Sequence, residues 1–123
     1  MKHNIFLGLG SNVGDKKAHI AEAVALLDEK IVTITVAPLY ETKPMYFENQ
    51  EVFMNTVLHG YTELSLHDLL LFVKEIEKKA GRIARFRNGP REIDIDILFY
   101  DDRVYKDDSI EIPHIGKIGR AHV

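Results

Sequence analysis

Between Arg91 and Leu98 the chain reads Arg-Glu-Ile-Asp-Ile-Asp-Ile-Leu, with two aspartates spaced i, i+2 among isoleucines. Strand side chains alternate faces, so this spacing puts the carboxylates of Asp94 and Asp96 on one face and Ile93, Ile95 and Ile97 on the other. Neighbouring carboxylates repel unless a cation lies between them, and hard oxygen donors suit Mg²⁺ or Mn²⁺ shared with substrate phosphates. The cations that a polyphosphate needs stand just upstream, in Arg82, Arg85, Arg87 and Arg91. Gly89-Pro90 forces a turn before the strand, because proline fixes its own φ and pushes its predecessor toward extended backbone; the turn aims Arg91 at the carboxylate face. A half-solvated edge strand would explain the alternation without any chemistry, but it leaves the arginines unaccounted for.

From Lys74 to Arg91 seven basic residues stand against two acidic ones, a local balance of +5 in a chain of net charge -3. Lys78 and Lys79 are explained as cations at a helix C-terminus; the arginines beyond Gly81 are not, and they call for an anion. The overall acidity argues against a general nucleic-acid binder. With no cysteine, disulfides and thiolate metal centres are excluded. No apolar run approaches a membrane span and the N-terminus lacks a secretory pattern, so a cytoplasmic protein without a membrane partner is expected. A chain of 123 residues, 46% apolar and 28% charged, reads as one globular domain.

Four other features could carry chemistry. Gly8-x-Gly10-x-x-x-Gly14 misses the spacing of dinucleotide and phosphate loops, and reads as a glycine turn in which Asn12 takes an awkward backbone angle or caps the next helix. Asn55 lies in an apolar strand, where an amide needs internal partners or a ligand. Glu77 reads as a helix-surface partner of Lys74 or Lys78, and His114, after Pro113, as a surface histidine.

The elements that must position these residues follow from periodicity. Strands are expected over 4–9, 31–40, 52–61 and from 93 to 100; in the second, Ile34 and Val36 share one face and Thr33 and Thr35 the other, and in the third Phe53, Asn55, Val57 and His59 share a face. One helix spans about 15–28 with Ile20, Val24 and Leu27 inward. A second starts at the N-cap Ser65, carries the stripe Leu66, Leu69, Leu70, Val73 and Ile76, and ends at Gly81. Thr42 opens a loop, and Asp101-Asp102-Arg103 is a turn that could begin a hairpin. The order β, α, β, β, α, β is that of a ferredoxin-like α+β sandwich, an antiparallel sheet with helices packed on it.

With these residues assembled, the chain resembles the 6-hydroxymethyl-7,8-dihydropterin pyrophosphokinases of folate biosynthesis. The resemblance rests on Gly89-Pro90-Arg91-x-x-Asp94-x-Asp96-Ile97-Leu98, with Gly10-Ser11-Asn12, Tyr40-Glu41-Thr42-x-Pro44, Asn55, Glu77 followed by Gly81-Arg82, and Pro113-His114. It implies a ferredoxin-like fold and transfer of the β,γ-diphosphate of ATP to the pterin hydroxymethyl group, giving AMP. It further implies that Asp94 and Asp96 hold two Mg²⁺ ions and that Arg82 and Arg91 grip the triphosphate. His114 would contact the nucleotide phosphates and Glu77 would line the nucleotide pocket. The pterin would be recognised by Asn55, by the ring of Phe53 and by the backbone of Thr42, Pro44 and Met45, with the loop over 82–87 closing on the substrates. A monomer acting on small molecules alone is expected. After His114 the chain departs from the family pattern: residues 1–116 are expected to form the domain, and 117–123, encodable by a common sequencing-adapter string, a non-native tail. The competing readings are another metal-dependent nucleotidyl or glycosyl transferase, and a ferredoxin-like RNA-binding or regulatory module, against which the missing aromatic RNA-binding pattern counts.

Overall fold

Ile5, Leu7 and Leu9 alternate with Phe6, Gly8 and Gly10, and this period of two makes a central strand with one dry face. In a computed structural model, which describes residues 1–42, 52–80 and 92–114, that strand is β1 (His3–Ser11). It is followed by α1 (Lys16–Leu27), β2 (Ile31–Val36), β3 (Tyr40–Thr42), β4 (Phe53–Thr62), α2 (Leu66–Lys79), β5 (Asp94–Tyr100), β6 (Tyr105–Lys106) and β7 (Glu111–Ile112). The main sheet runs β2-β4-β1-β5, all neighbours antiparallel, with short β3 also pairing β4. Each crossover from strand through helix to strand skips one place, and the second half fills the gap left by the first; this is the ferredoxin-like α+β arrangement expected from the element order. The hairpin β6–β7 is a separate small sheet.

Both helices lie on one face. Ile5, Leu7 and Leu9 of β1, Leu58 of β4 and Ile95 and Ile97 of β5 are buried against Ile20, Ala23 and Leu27 of α1 and Leu69, Phe72, Val73 and Ile76 of α2. Each such aliphatic side chain contributes roughly 1.5–3 kcal/mol by leaving water. Ser65 caps α2, its hydroxyl accepting from the Asp68 N–H at 3.1 Å.

Several local expectations are corrected. Gly8 and Gly10 lie inside β1, and the turn is made by Gly14 alone (φ +71). Asn12 does not cap α1: Asp15 does, accepting from the Ala18 N–H at 3.2 Å, because it is the residue directly before the first helical turn. β2 stops at Val36 rather than Tyr40, and a register shift between Thr33 and Thr35 breaks its alternation; as the outer strand it leaves Ile34 and Val36 exposed. Thr42 ends a separate short strand, Tyr40–Thr42, rather than opening a loop. The turn after β5 does not open a hairpin with it; the hairpin forms further on, between β6 and β7. Gly81, Arg82, Arg85, Arg87, Gly89, Pro90 and Arg91, Pro44 and Met45, and residues 115–123 lie outside the described residues.

The far end of the sheet is tied by Asp101, which stands at φ 52. Its N–H donates to the Asn4 carbonyl, while its carboxylate accepts from the Asn4 N–H and meets His3 Nδ1, both at 2.7 Å. The His3 hydrogen bond first, and the Asn4 N–H second, hold its pKa below the ordinary carboxylate value. A depressed folded-state pKa stabilises the fold above the unfolded value and loses that contribution as pH falls through the folded one. Asp101→Asn tolerates the left-handed backbone but cannot ionise. Urea unfolding should therefore show the substituted protein less stable than the parent at pH 7, the gap closing below about pH 4; a gap independent of pH would refute the clamp.

Candidate active site

Backbone register brings the candidate residues together. Gly10 of β1 sits opposite Asn55 of β4 on one side and Asp94 of β5 on the other; Gly8 sits opposite Val57 and Asp96. Directly registered residues share a face, so Phe53, Asn55, Asp94 and Asp96 all project from the side of the sheet away from the helices. Two strand spacings, about 10 Å, separate the Asn55 and Asp94 backbones, and the residue between them has no side chain. Gly8 and Gly10 form the floor of a shallow site walled by carboxylates on one flank and by an amide and a ring on the other.

Each wall is held. The Asn55 side chain, nearly buried, donates through Nδ2 to Thr42 Oγ1 at 2.9 Å and to the carbonyls of Phe53 and Tyr40 at 3.3 and 3.4 Å. Its Oδ1 hangs over Gly10: a Cβ there would lie 2.9 Å from Asn55 Oδ1 and 3.3 Å from a Phe53 ring carbon. Only glycine allows this approach of amide and ring to the strand. On the carboxylate flank, one extra residue in β5, at the register shift opposite Phe6 and Leu7, places Leu98 over Gly8 at 3.4 Å from where its Cβ would be. His114 reaches the pair from the segment after β7: its N–H donates to the Leu98 carbonyl at 3.0 Å, and its Nε2 lies 3.6 Å from Asp96 Oδ1.

Glu77 is not a surface residue. It is 2% exposed, on the face of α2 turned to β5, with Oε2 accepting from the Ile95 N–H at 2.8 Å and Oε1 3.8 Å from Lys74 Nζ. The Lys74 pairing read from spacing is present, and the carboxylate also accepts from the strand between the two aspartates.

A divalent cation fits this donor set. Among the described residues no three His, Asp or Glu side chains converge into a metal cage. Asp94 and Asp96 alone offer two hard oxygen groups on one face, as Mg²⁺ requires when phosphates and water complete its octahedron. Of the residues singled out from sequence, Thr42, Phe53, Asn55, Asp94, Asp96 and His114 meet on this face; Glu77 acts behind it. Gly8 and Gly10 were missed as floor residues, although paired i, i+2 glycines within an apolar strand are a signal of close approach.

The fold is an antiparallel ferredoxin-like sandwich that carries paired carboxylates and an anchored amide on the sheet face away from the helices. The model of the 7,8-dihydro-6-hydroxymethylpterin-pyrophosphokinase family matches residues 6–123, and the chain belongs to that family. It is 46% identical to the 2-amino-4-hydroxy-6-hydroxymethyldihydropteridine pyrophosphokinase of Aquifex aeolicus over 110 residues, covering 89% of this chain and 69% of that protein. The Bacillus subtilis protein of the same name is 36% identical over 93% of this chain and 70% of its own. A folic acid synthesis protein of Dictyostelium discoideum is 42% identical over 89% of this chain, which spans 17% of that longer protein.

Gly10→Ala tests the floor directly. The added methyl must displace Asn55 or Phe53, at a cost of about 1–3 kcal/mol. The expected result is a lower melting temperature with shifted Asn55 side-chain NH₂ resonances; unchanged resonances would contradict the geometry.

Proposed function

We propose that this chain transfers the β,γ-diphosphate of ATP to the hydroxymethyl group of 6-hydroxymethyl-7,8-dihydropterin, in folate biosynthesis. The observation that carries the reading is the common face of Asn55 and Phe53 with Asp94 and Asp96 across Gly10, which suits an acceptor and a metal-bound polyphosphate placed side by side. The hydroxymethyl oxygen forms a bond to the β-phosphorus, the bond from that phosphorus to the bridging oxygen of the α-phosphate breaks, and AMP leaves while the hydroxyl proton is lost. Such a transfer needs positioning and charge neutralisation rather than covalent help.

Asn55 supplies a fixed amide edge to a pterin ring, since its own partners lock its orientation, and the half-buried Phe53 supplies an aromatic plane beside it. Asp94 and Asp96 would hold two Mg²⁺ ions, whose charge when bound neutralises the phosphate oxygens. His114, placed by the Leu98 carbonyl, lies where it can donate to a phosphate near Asp96. Arg82 and Arg91 complete the reading as bidentate partners of the triphosphate, and Thr42, Pro44 and Met45 as backbone partners of the pterin, while Glu77, buried against β5, supports the nucleotide side from behind. None of the helices in the described residues is long and apolar enough to cross a membrane. We infer a cytoplasmic monomer acting on small molecules without nucleic acid.

The test is release of AMP from ATP with 6-hydroxymethyl-7,8-dihydropterin and Mg²⁺. The parent chain should release AMP only when pterin and metal are both present. Asp96→Ala should lower kcat/KM by on the order of a hundredfold or more. Absence of AMP from the parent, or full activity in the substituted chain, would overturn the assignment.

A further inference from the structure

We propose that Glu77 is a positioning residue for the Asp94–Asp96 pair, acting through the main chain of Ile95. The inference rests on the reading of those aspartates as metal ligands. β5 ends the sheet path, and its second edge has no strand partner among the described residues. In an antiparallel pair successive residues turn their N–H groups to opposite sides. The Ile95 N–H, between the two aspartates, points away from β1 and donates to Glu77 Oε2 at 2.8 Å.

A carboxylate that is 2% exposed is costly unless it is hydrogen-bonded and paired. Here it accepts from a backbone amide and stands 3.8 Å from Lys74 Nζ. The bond gives an acceptor to an amide that no neighbouring strand serves among the described residues, and an acceptor oxygen is all it requires. The same edge is held again at Leu98, whose carbonyl accepts from the His114 N–H. The two ties bracket Asp96. Between them the pleat of β5 is fixed, and with it the directions in which both carboxylates leave the backbone. Ile95 itself is buried under α2, so its side chain and its N–H are both anchored to the same helix. Glu77 thus transmits the rigid packing of α2 to the metal-holding face without needing to touch the ion.

The experiment compares Glu77→Gln, Glu77→Ala and Asp96→Asn with the parent. Mn²⁺ affinity is read by electron paramagnetic resonance in the presence of α,β-methylene-ATP, and hydrogen exchange of the Ile95 amide by NMR. The parent should protect Ile95 despite its place on a free edge. Glu77→Gln keeps an acceptor oxygen and should retain both that protection and Mn²⁺ affinity within about threefold, while Glu77→Ala should expose Ile95, leave other β5 amides protected and weaken Mn²⁺ about tenfold or more. A loss in Glu77→Gln equal to that in Glu77→Ala would overturn the role, as would unchanged Mn²⁺ affinity once Ile95 is exposed. If Glu77→Ala does not fold, an unprotected parent Ile95 or an impaired Glu77→Gln overturns the role, and protection with retained affinity supports it. Undiminished Mn²⁺ binding by Asp96→Asn would sink the metal reading itself, a failure distinct from exposure of Ile95.

Discussion

The antiparallel register of β1 against β4 and β5 is the constraint on which the site depends. Because strand side chains alternate with a period of two, a slip of one residue would turn Asp94 and Asp96 into the core and Ile95 and Ile97 into water. Burying two unpaired carboxylates would cost several kcal/mol each, on top of the lost aliphatic burial. The hydrophobic packing of Ile5, Leu7, Leu9, Ile95 and Ile97 under the two helices therefore does more than stabilise the sheet. It selects the one register in which Asn55, Gly10 and Asp94 form a row.

That row explains an otherwise unfavourable choice of residues. Glycine is a poor strand former, and two in alternate positions weaken β1. The cost is offset by the flat floor they leave, over which an amide and a ring close to distances that a methyl group would forbid. The polar walls are then made rigid by main-chain contacts: the Tyr40 and Phe53 carbonyls fix Asn55, the Ile95 N–H meets Glu77, and the Leu98 carbonyl receives His114. Polar side chains on and behind this face are thus tied to neutral backbone. Electrostatic positioning of this kind is what phosphoryl transfer requires of a protein.

Much of this was legible in the residues. The Ile/Asp alternation announced a strand with one dry face, Phe53 and Asn55 were placed on a common face by their spacing, and Ser65 with its leucine stripe marked α2. What escaped has physical reasons. A bulge such as that at Leu98 changes the side of every residue beyond it without altering composition, so Tyr100 rather than Phe99 is buried. Glycines in a strand look like turn residues until the partner strands are known. Glu77 looked solvated because a charged residue beside two lysines on a helix usually is; its hydrogen bond from the Ile95 N–H on the outer edge of β5 shows only in the fold. The acceptor's chemical identity came from family resemblance, since an amide and a ring suit many heterocycles.

The central claim, that the open face around Gly10 holds metal and acceptor side by side, is tested most directly by paramagnetic broadening in the NMR spectrum. Mn²⁺ would be added to the chain together with α,β-methylene-ATP and the pterin. The strongest broadening is expected at the Asp94 to Asp96 amides and next at the Gly8 and Gly10 amides and the Asn55 side-chain NH₂, with α1 little affected. Broadening centred on the hairpin or on the helix face, with Gly10 and Asn55 sharp, would contradict the claim.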